Sequence, residues 1–245
     1  TIRFASYKIE ESAFPVIFDR LLLTKSPEEA RSGYIPLTEQ WNSITKQEWA
    51  HHSALRSFVR NLENQIQSSM VTDVFRELYF NLGMSLFTLY FGSIKYSDVM
   101  WFEITTLASV YVKQADDEKR ITTIRGDAIE LLDAEIMIFW PLVELHKKME
   151  AAKLSVSQES LKVKAMLESI SYSTVQMLND RDYDSLDFAS KDAEILFTRW
   201  RQPQIAAATL ASALASGNIP EMRQSMLCAA IVLLHEKLQE IPIEF

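Results

Sequence analysis

The sequence predicts an all-α protein, either a multi-helix bundle or an irregular helical-hairpin array, with about ten helices and no significant β-sheet. Only 5 Gly and 7 Pro occur in 245 residues, which is too few for the many turns of a β-sandwich or barrel. Apolar residues instead recur at helical spacing through most of the chain. Because 48% of the residues are hydrophobic, we expect one core and a single all-α domain over residues 1–245.

The first two predicted helices lie near the N-terminus. Apolar residues at helical spacing over residues 14–23 indicate the first one. Ser26, followed by proline and two acids, is typical of the start of the second, because serine caps free amides and acids favour the positive helix end. We expect Gly33 to end this helix and Pro36 to keep the following residues extended.

Three longer helices are predicted next. Thr45 and Glu48 match a capping box, and the helix that they open has apolar residues at helical spacing as far as Ile66. Residues 71–91 are apolar on nearly all sides, which is typical of a central helix. A further helix is expected over residues 98–114.

The remaining helices are predicted from similar signals. Residues 121–150 are expected to be helical, with a kink or a stop at Pro141. A second capping box at residues 155–158 opens a helix to about residue 178. The alternative to a single domain is a seam near residues 151–158, between an N-terminal bundle and a C-terminal helical-hairpin subdomain. Prolines begin the last two helices, an antiparallel hairpin over residues 203–239.

Composition restricts the partners and the location. The net charge is −8 and basic residues do not cluster, so we expect no direct contact with nucleic acid. The single cysteine, Cys228, lies in an apolar run, which leaves no disulfide framework and fits a reducing compartment. The apolar runs are shorter than a membrane span of about 20 residues and the first residues lack a signal-peptide pattern. We therefore expect a cytoplasmic protein with no transmembrane segment.

One spacing indicates a metal site. Glu48 and His51 are spaced Glu-x-x-His, which on a helix directs a carboxylate and an imidazole to one ion. A carboxylate-bridged di-metal bundle needs a second such motif, and no other histidine has a Glu three residues earlier. Glu77 and Glu103 could supply further carboxylates from apolar helices. The favoured interpretation is a helix start without a cofactor, and these four residues form the metal alternative.

Two acidic stretches are interpreted as solvated. Asp180, Asp182 and Asp184 have the spacing of a calcium loop, but Ser185 replaces the required glycine and the twelfth position is lysine. Residues 126–135 hold several acids, which we interpret as an exposed helix face.

The favoured function is a non-enzymatic helical interaction protein, such as an adaptor, chaperone, regulator or assembly subunit, that binds a partner segment in a helical groove. No nucleophile motif or phosphate loop occurs, so no catalytic residue is assigned. Tryptophan and arginine are enriched in binding hot spots, and this selects the candidates Arg199, Trp200, Arg201, Trp140 and Trp101. The expected partner is a protein, and self-association into a homo-oligomer stays open. The alternative is a helical-bundle enzyme or sensor with a buried small-molecule or metal site.

Overall fold

The computed structural model describes residues 13–44, 52–69, 71–90, 94, 96–115, 120–152, 156–180 and 203–233. Within these residues the chain forms ten helices and one small three-stranded sheet, which confirms the predicted all-helical class. The helices are α1 (Ala13–Leu22), α2 (Pro27–Ser43), α3 (Ser53–Ser68), α4 (Asp73–Leu89), α5 (Asp98–Tyr111), α6 (Leu131–Ala151), α7 (Val156–Ile170), α8 (Tyr172–Asp180), α9 (Pro203–Ser216) and α10 (Ile219–Leu233). The strands are β1 (Val112–Ala115), β2 (Arg120–Thr123) and β3 (Ala128–Glu130).

The chain divides into two compact units, Thr1–Lys147 and Lys148–Phe245. In the first unit α4 contacts α2, α3 and α5, and α5 also contacts α1. The central place of α4 follows from its sequence, because it buries apolar side chains around most of its circumference. None of the helices in the described part of the chain is both long and apolar enough to cross a membrane.

Helix α2 begins as predicted but continues further. The Ser26 side chain accepts a hydrogen bond from the Glu29 amide at 3.3 Å, and the Glu29 carboxylate accepts one from the Ser26 amide at 2.8 Å. The prediction that Gly33 ends the helix is wrong, as is the extended segment at Pro36, because α2 includes both residues. Tertiary packing explains the difference, since Tyr34 between them is fully buried and its burial stabilises the helix beyond its local propensity.

The sheet corrects two helix predictions. Residues 112–114 belong to β1 rather than to the end of α5, and residues 120–130 form β2, a turn and β3 rather than the start of α6. Both strand pairs are antiparallel, in the order β1-β2-β3. The β-branched run Ile121-Thr122-Thr123 favours a strand, and Gly126 adopts a φ of 94° that suits the tight turn.

A buried phenol connects this sheet to the helices. Tyr111 at the end of α5 donates to Asp19 of α1 at 2.9 Å. Arg125, in the turn after β2, lies 3.6 Å from the same carboxylate. Burial and the Asp19 carboxylate raise the pKa of Tyr111, so its hydroxyl remains a donor at ordinary pH. These contacts fix α1, α5 and the turn to one another.

Helix α6 continues through Pro141 to Ala151, so the proline does not end it. The capping box predicted at residues 155–158 includes Ser155, which lies outside the described residues. The helix predicted to residue 178 is interrupted at Ser171, which separates α7 from α8. The Ser171 hydroxyl lies 2.8 Å from that of Thr174, an interaction that competes with helix continuation.

The second unit has its own apolar cluster. Helix α7 contacts α8 and α10, and α9 contacts α10. The side chains of this cluster lie on α7, α8 and α10, and we call them the Cys228 cluster: Val163, Leu167, Val175, Leu178, Leu227, Cys228 and Ile231. The predicted turn between α9 and α10 is present at Gly217.

Candidate functional site

A buried polar site of four side chains joins α2, α4 and α6, and we call it the Glu135 network. The Tyr34 hydroxyl donates to one Glu135 oxygen at 3.0 Å, and the Asn81 amide donates to the other at 2.6 Å. Ser85 in turn donates to the Tyr34 oxygen at 3.2 Å. Ser85 and Tyr34 are 0% exposed, and Glu135 is 3% exposed.

Burial and a nearby charge oppose ionisation of the Glu135 carboxyl group. Burial raises the pKa of Glu135, and the nearby Glu77 carboxylate adds to the rise, whereas the bonds from Asn81 and Tyr34 lower it. Burial and the Glu135 charge also raise the pKa of Tyr34, which keeps the phenol protonated as a donor. The network therefore contains a carboxyl group whose charge is poorly compensated.

A second buried site, which we call the Glu103–His146 pair, lies between α5 and α6. Nδ1 of His146 lies 2.8 Å from a Glu103 carboxylate oxygen, and the His146 ring packs edge-on against Tyr90 with centroids 5.5 Å apart. The side chains are 10% and 0% exposed. A carboxylate so placed fixes the orientation of the imidazole and favours a proton on Nδ1.

Glu77 and Glu103, the two carboxylates of the metal alternative that lie in the described residues, belong to different sites. Glu77 lies beside Glu135, whereas Glu103 binds His146. In the part of the chain that the structure describes, no group of three or more His, Cys, Asp or Glu side chains is placed to hold a metal ion. The other two residues of that alternative, Glu48 and His51, lie outside the described residues.

Two of the three tryptophans predicted to bind a partner, Trp140 and Trp101, lie in the described residues, and their surroundings differ. The Trp140 indole donates to the Ala30 carbonyl at 2.8 Å, the Lys25 ammonium lies 4.4 Å from the ring centroid, and the ring lies close against Gly33. Trp140 therefore anchors α6 to α2 and to the residues before it.

Trp101 belongs to what we call the aromatic cluster. Its ring packs edge-on against Tyr79 at 5.3 Å, and Tyr79 packs against Phe75 at 5.8 Å. Tyr79 is buried, which raises its pKa to about 12, while Trp101 and Phe75 are both half-buried. The cluster thus presents two partly exposed rings on a buried third. Arg199, Trp200 and Arg201, the remaining predicted binding residues, lie outside the described residues.

Sequence reasoning missed the Glu135 network and the Glu103–His146 pair. The acids of residues 126–135 were expected on an exposed face, but Glu135 is buried because it lies on the side of α6 that packs towards Tyr34. A signal was present on α4, where Glu77, Asn81 and Ser85 repeat every four residues along a largely apolar helix. Polar residues at that spacing share one helix face and indicate a buried polar partner.

Comparison with known proteins finds no family model that matches this chain and no curated protein with a matching sequence.

Proposed function

We propose that the chain is a non-enzymatic helical interaction protein and that its first compact unit binds a segment of a partner protein at the aromatic cluster. The observation that carries this proposal is the placement of Trp101 and Phe75, which are half-buried and supported by the buried ring of Tyr79. Supported aromatic rings bury a large area at low entropic cost when a partner covers them.

The surroundings of the cluster favour the same function. Asp73 and Arg76 form an exposed ion pair at 3.2 Å in the first turn of α4, adjacent in sequence to Phe75. Aromatic residues bordered by charged side chains have the composition of a binding centre with a polar rim. We therefore expect the partner to supply apolar side chains to the rings and polar groups to the rim.

Affinity capture with matched variants tests this proposal. We would immobilise the full chain, the two cluster variants Trp101→Ala and Phe75→Ala, and the control Leu161→Ala. Thermal melts beforehand show which of these proteins are folded. Leu161 is 70% exposed on α7, so its replacement removes an exposed apolar side chain outside the cluster. We expect the wild type and the control to retain one or more proteins. Both cluster variants should retain these proteins in amounts lower by roughly tenfold or more. Equal retention by folded cluster variants would contradict the proposal.

The second candidate function is a helical-bundle enzyme or sensor with a buried small-molecule or metal site. It is supported by the burial and close contact of Glu103 and His146, whose side chains are 2.8 Å apart, since converging buried polar groups are a feature of binding and active sites. Native and denaturing mass spectra of the purified chain separate the two candidates. Extra mass per subunit that disappears on denaturation would favour the buried site, and mutation of Glu103 and Glu77 would follow.

A further inference from the structure

The Glu135 network is a directional chain of hydrogen bonds. Ser85 donates to Tyr34, and Tyr34 donates to Glu135. An ionised carboxylate only accepts, so this direction is the one that an ionised Glu135 requires. The Asn81 amide donates to the second carboxylate oxygen, which completes the set of donors.

The same four side chains can also hold a protonated Glu135. Its new hydroxyl would donate to the Tyr34 oxygen, and the Tyr34 hydroxyl would rotate to donate to Ser85. The Ser85 hydroxyl would then donate to the carbonyl four residues earlier in α4, a common bond for helical serine. Asn81 keeps its bond, because the carbonyl oxygen of the acid still accepts. The side-chain oxygens of Ser85, Tyr34 and Glu135 therefore each have a hydrogen-bond partner in both protonation states.

The charged groups around the network favour proton uptake. From α4 the Glu77 carboxylate lies close enough to oppose ionisation of Glu135, and from α2 the facing titratable group is the neutral Tyr34 phenol. Arg31 of α2 and Asp133 of α6 pair with each other at 2.8 Å, and both are about half exposed. Within the described residues, Glu135 forms no ion pair that would stabilise its charge.

We propose that Glu135 is a proton-uptake switch: it binds a proton within the folded protein, and this reverses the donor–acceptor direction of the Ser85–Tyr34–Glu135 chain that joins α2, α4 and α6. This proposal is independent of the aromatic cluster and of any partner.

The direction of the pKa shift sets the pH dependence. Burial and Glu77 raise the pKa of Glu135 in the folded protein, so the ionised form destabilises the fold. The favourable contribution of protonated Glu135 to the free energy of unfolding is complete below the unfolded-state pKa, about 4.3 for glutamate. It is lost as the pH rises through the higher pKa of Glu135 in the folded protein. Stability should therefore rise on mild acidification, relative to a variant with no titrating group at this position.

The first experiment compares denaturant midpoints of the wild type, Glu135→Gln and the control Asp133→Asn from about pH 8 to about pH 5. Asp133 is an exposed carboxyl group two residues away on the same helix. We expect the midpoint of the wild type, measured relative to that of Glu135→Gln, to rise as the pH falls. Asp133→Asn should follow the wild type. A difference between wild type and Glu135→Gln that does not change with pH would overturn the proposal.

Infrared spectra of the same proteins report the proton directly. On acidification the wild type should gain the C=O band of a protonated carboxylic acid at a pH above the ordinary glutamate range, and Glu135→Gln should lack it. Absence of this band from the folded wild type above that range would also overturn the proposal.

Ser85→Ala distinguishes a hydrogen-bond chain that reverses its direction from a carboxyl group that is only buried. Without Ser85, the ionised network loses only one bond to the Tyr34 oxygen, but the protonated network leaves the Tyr34 hydroxyl with no acceptor. An unpaired buried donor is the larger penalty, so the variant should bind the proton roughly tenfold more weakly, which moves the infrared transition about one pH unit lower. An unchanged transition would overturn the reversal. This comparison needs only the wild type and Ser85→Ala, so it holds even if Glu135→Gln fails to fold.

Discussion

At the scale of single residues, we expect the Glu103–His146 pair to be sensitive to substitution. The two side chains are almost completely buried and 2.8 Å apart. A buried charge or imidazole that loses its partner keeps its desolvation penalty without the compensating bond.

We expect Glu103→Ala to lower the free energy of unfolding by about 3–5 kcal/mol, the usual cost of breaking a buried pair. Glu103→Gln keeps a hydrogen-bonding group next to His146 and should cost less than the alanine variant. Denaturant melts at neutral pH measure both. The control is Glu144→Ala, which removes the exposed pair between Glu144 and Lys147 and should cost roughly 1 kcal/mol or less. An equal, small cost for Glu103→Ala and Glu144→Ala would contradict the structural role of the buried pair.

The pair also shows what single residues in a sequence do not reveal. His146 and Glu103 lie 43 positions apart, and Tyr34 and Glu135 lie 101 positions apart. Local spacing identifies partners only within a few residues on one helix. The Glu-x-x-His spacing therefore selects Glu48 and His51, whereas the buried pair of Glu103 and His146 joins two different helices.

At the scale of helices and strands, serine caps agree with the sequence, whereas several predicted helix ends do not. The predicted Ser26 cap is present. The helix expected from residue 98 begins at a second serine cap, Ser97, which accepts from the Met100 amide at 3.2 Å. A cap depends on adjacent residues alone, so the sequence reveals it. The continuation of α2 past Pro36 depends instead on what Tyr34 contacts, namely Phe139 at 4.9 Å and Glu135. The small sheet was missed because each strand is only three or four residues long.

The packing of α3 against α4 yields a second prediction. A Cβ atom added to Gly83 would lie 2.6 Å from a methyl group of Leu62, and Leu62 is fully buried. Because that methyl group is enclosed, we expect Gly83→Ala to lower the free energy of unfolding by about 1–2 kcal/mol through overpacking. This loss should exceed the gain of up to about 1 kcal/mol from the better helix propensity of alanine.

A double-mutant cycle isolates the steric cause. In a Leu62→Ala background the clash is absent, so Gly83→Ala should be neutral or stabilise by up to about 1 kcal/mol. Chemical denaturation of the four proteins gives the coupling free energy. An identical cost for Gly83→Ala in both backgrounds would show that Leu62 does not limit the space beside Gly83.

At the scale of the whole molecule, the second compact unit has a chemical probe in its own core. The only cysteine of the chain lies in the second unit, where Cys228 is buried and its thiol lies 3.6 Å from the Val163 carbonyl. Burial raises the pKa of this thiol to about 11. Since the thiolate is the reactive form, labelling by a thiol reagent requires this unit to open.

The final prediction uses this reaction to measure the stability of the second unit. Leu167 belongs to the Cys228 cluster and is 1% exposed, so Leu167→Ala should cost about 2–5 kcal/mol. When reclosing is faster than labelling, the rate follows the population of the open form, and this cost should raise it by at least roughly thirtyfold. Glu168→Ala changes the next, exposed residue and should alter the rate by no more than about twofold. Equal rates for the two variants would mean that Cys228 is reached without opening the cluster around it, and the thiol would then report a local motion rather than the stability of the unit.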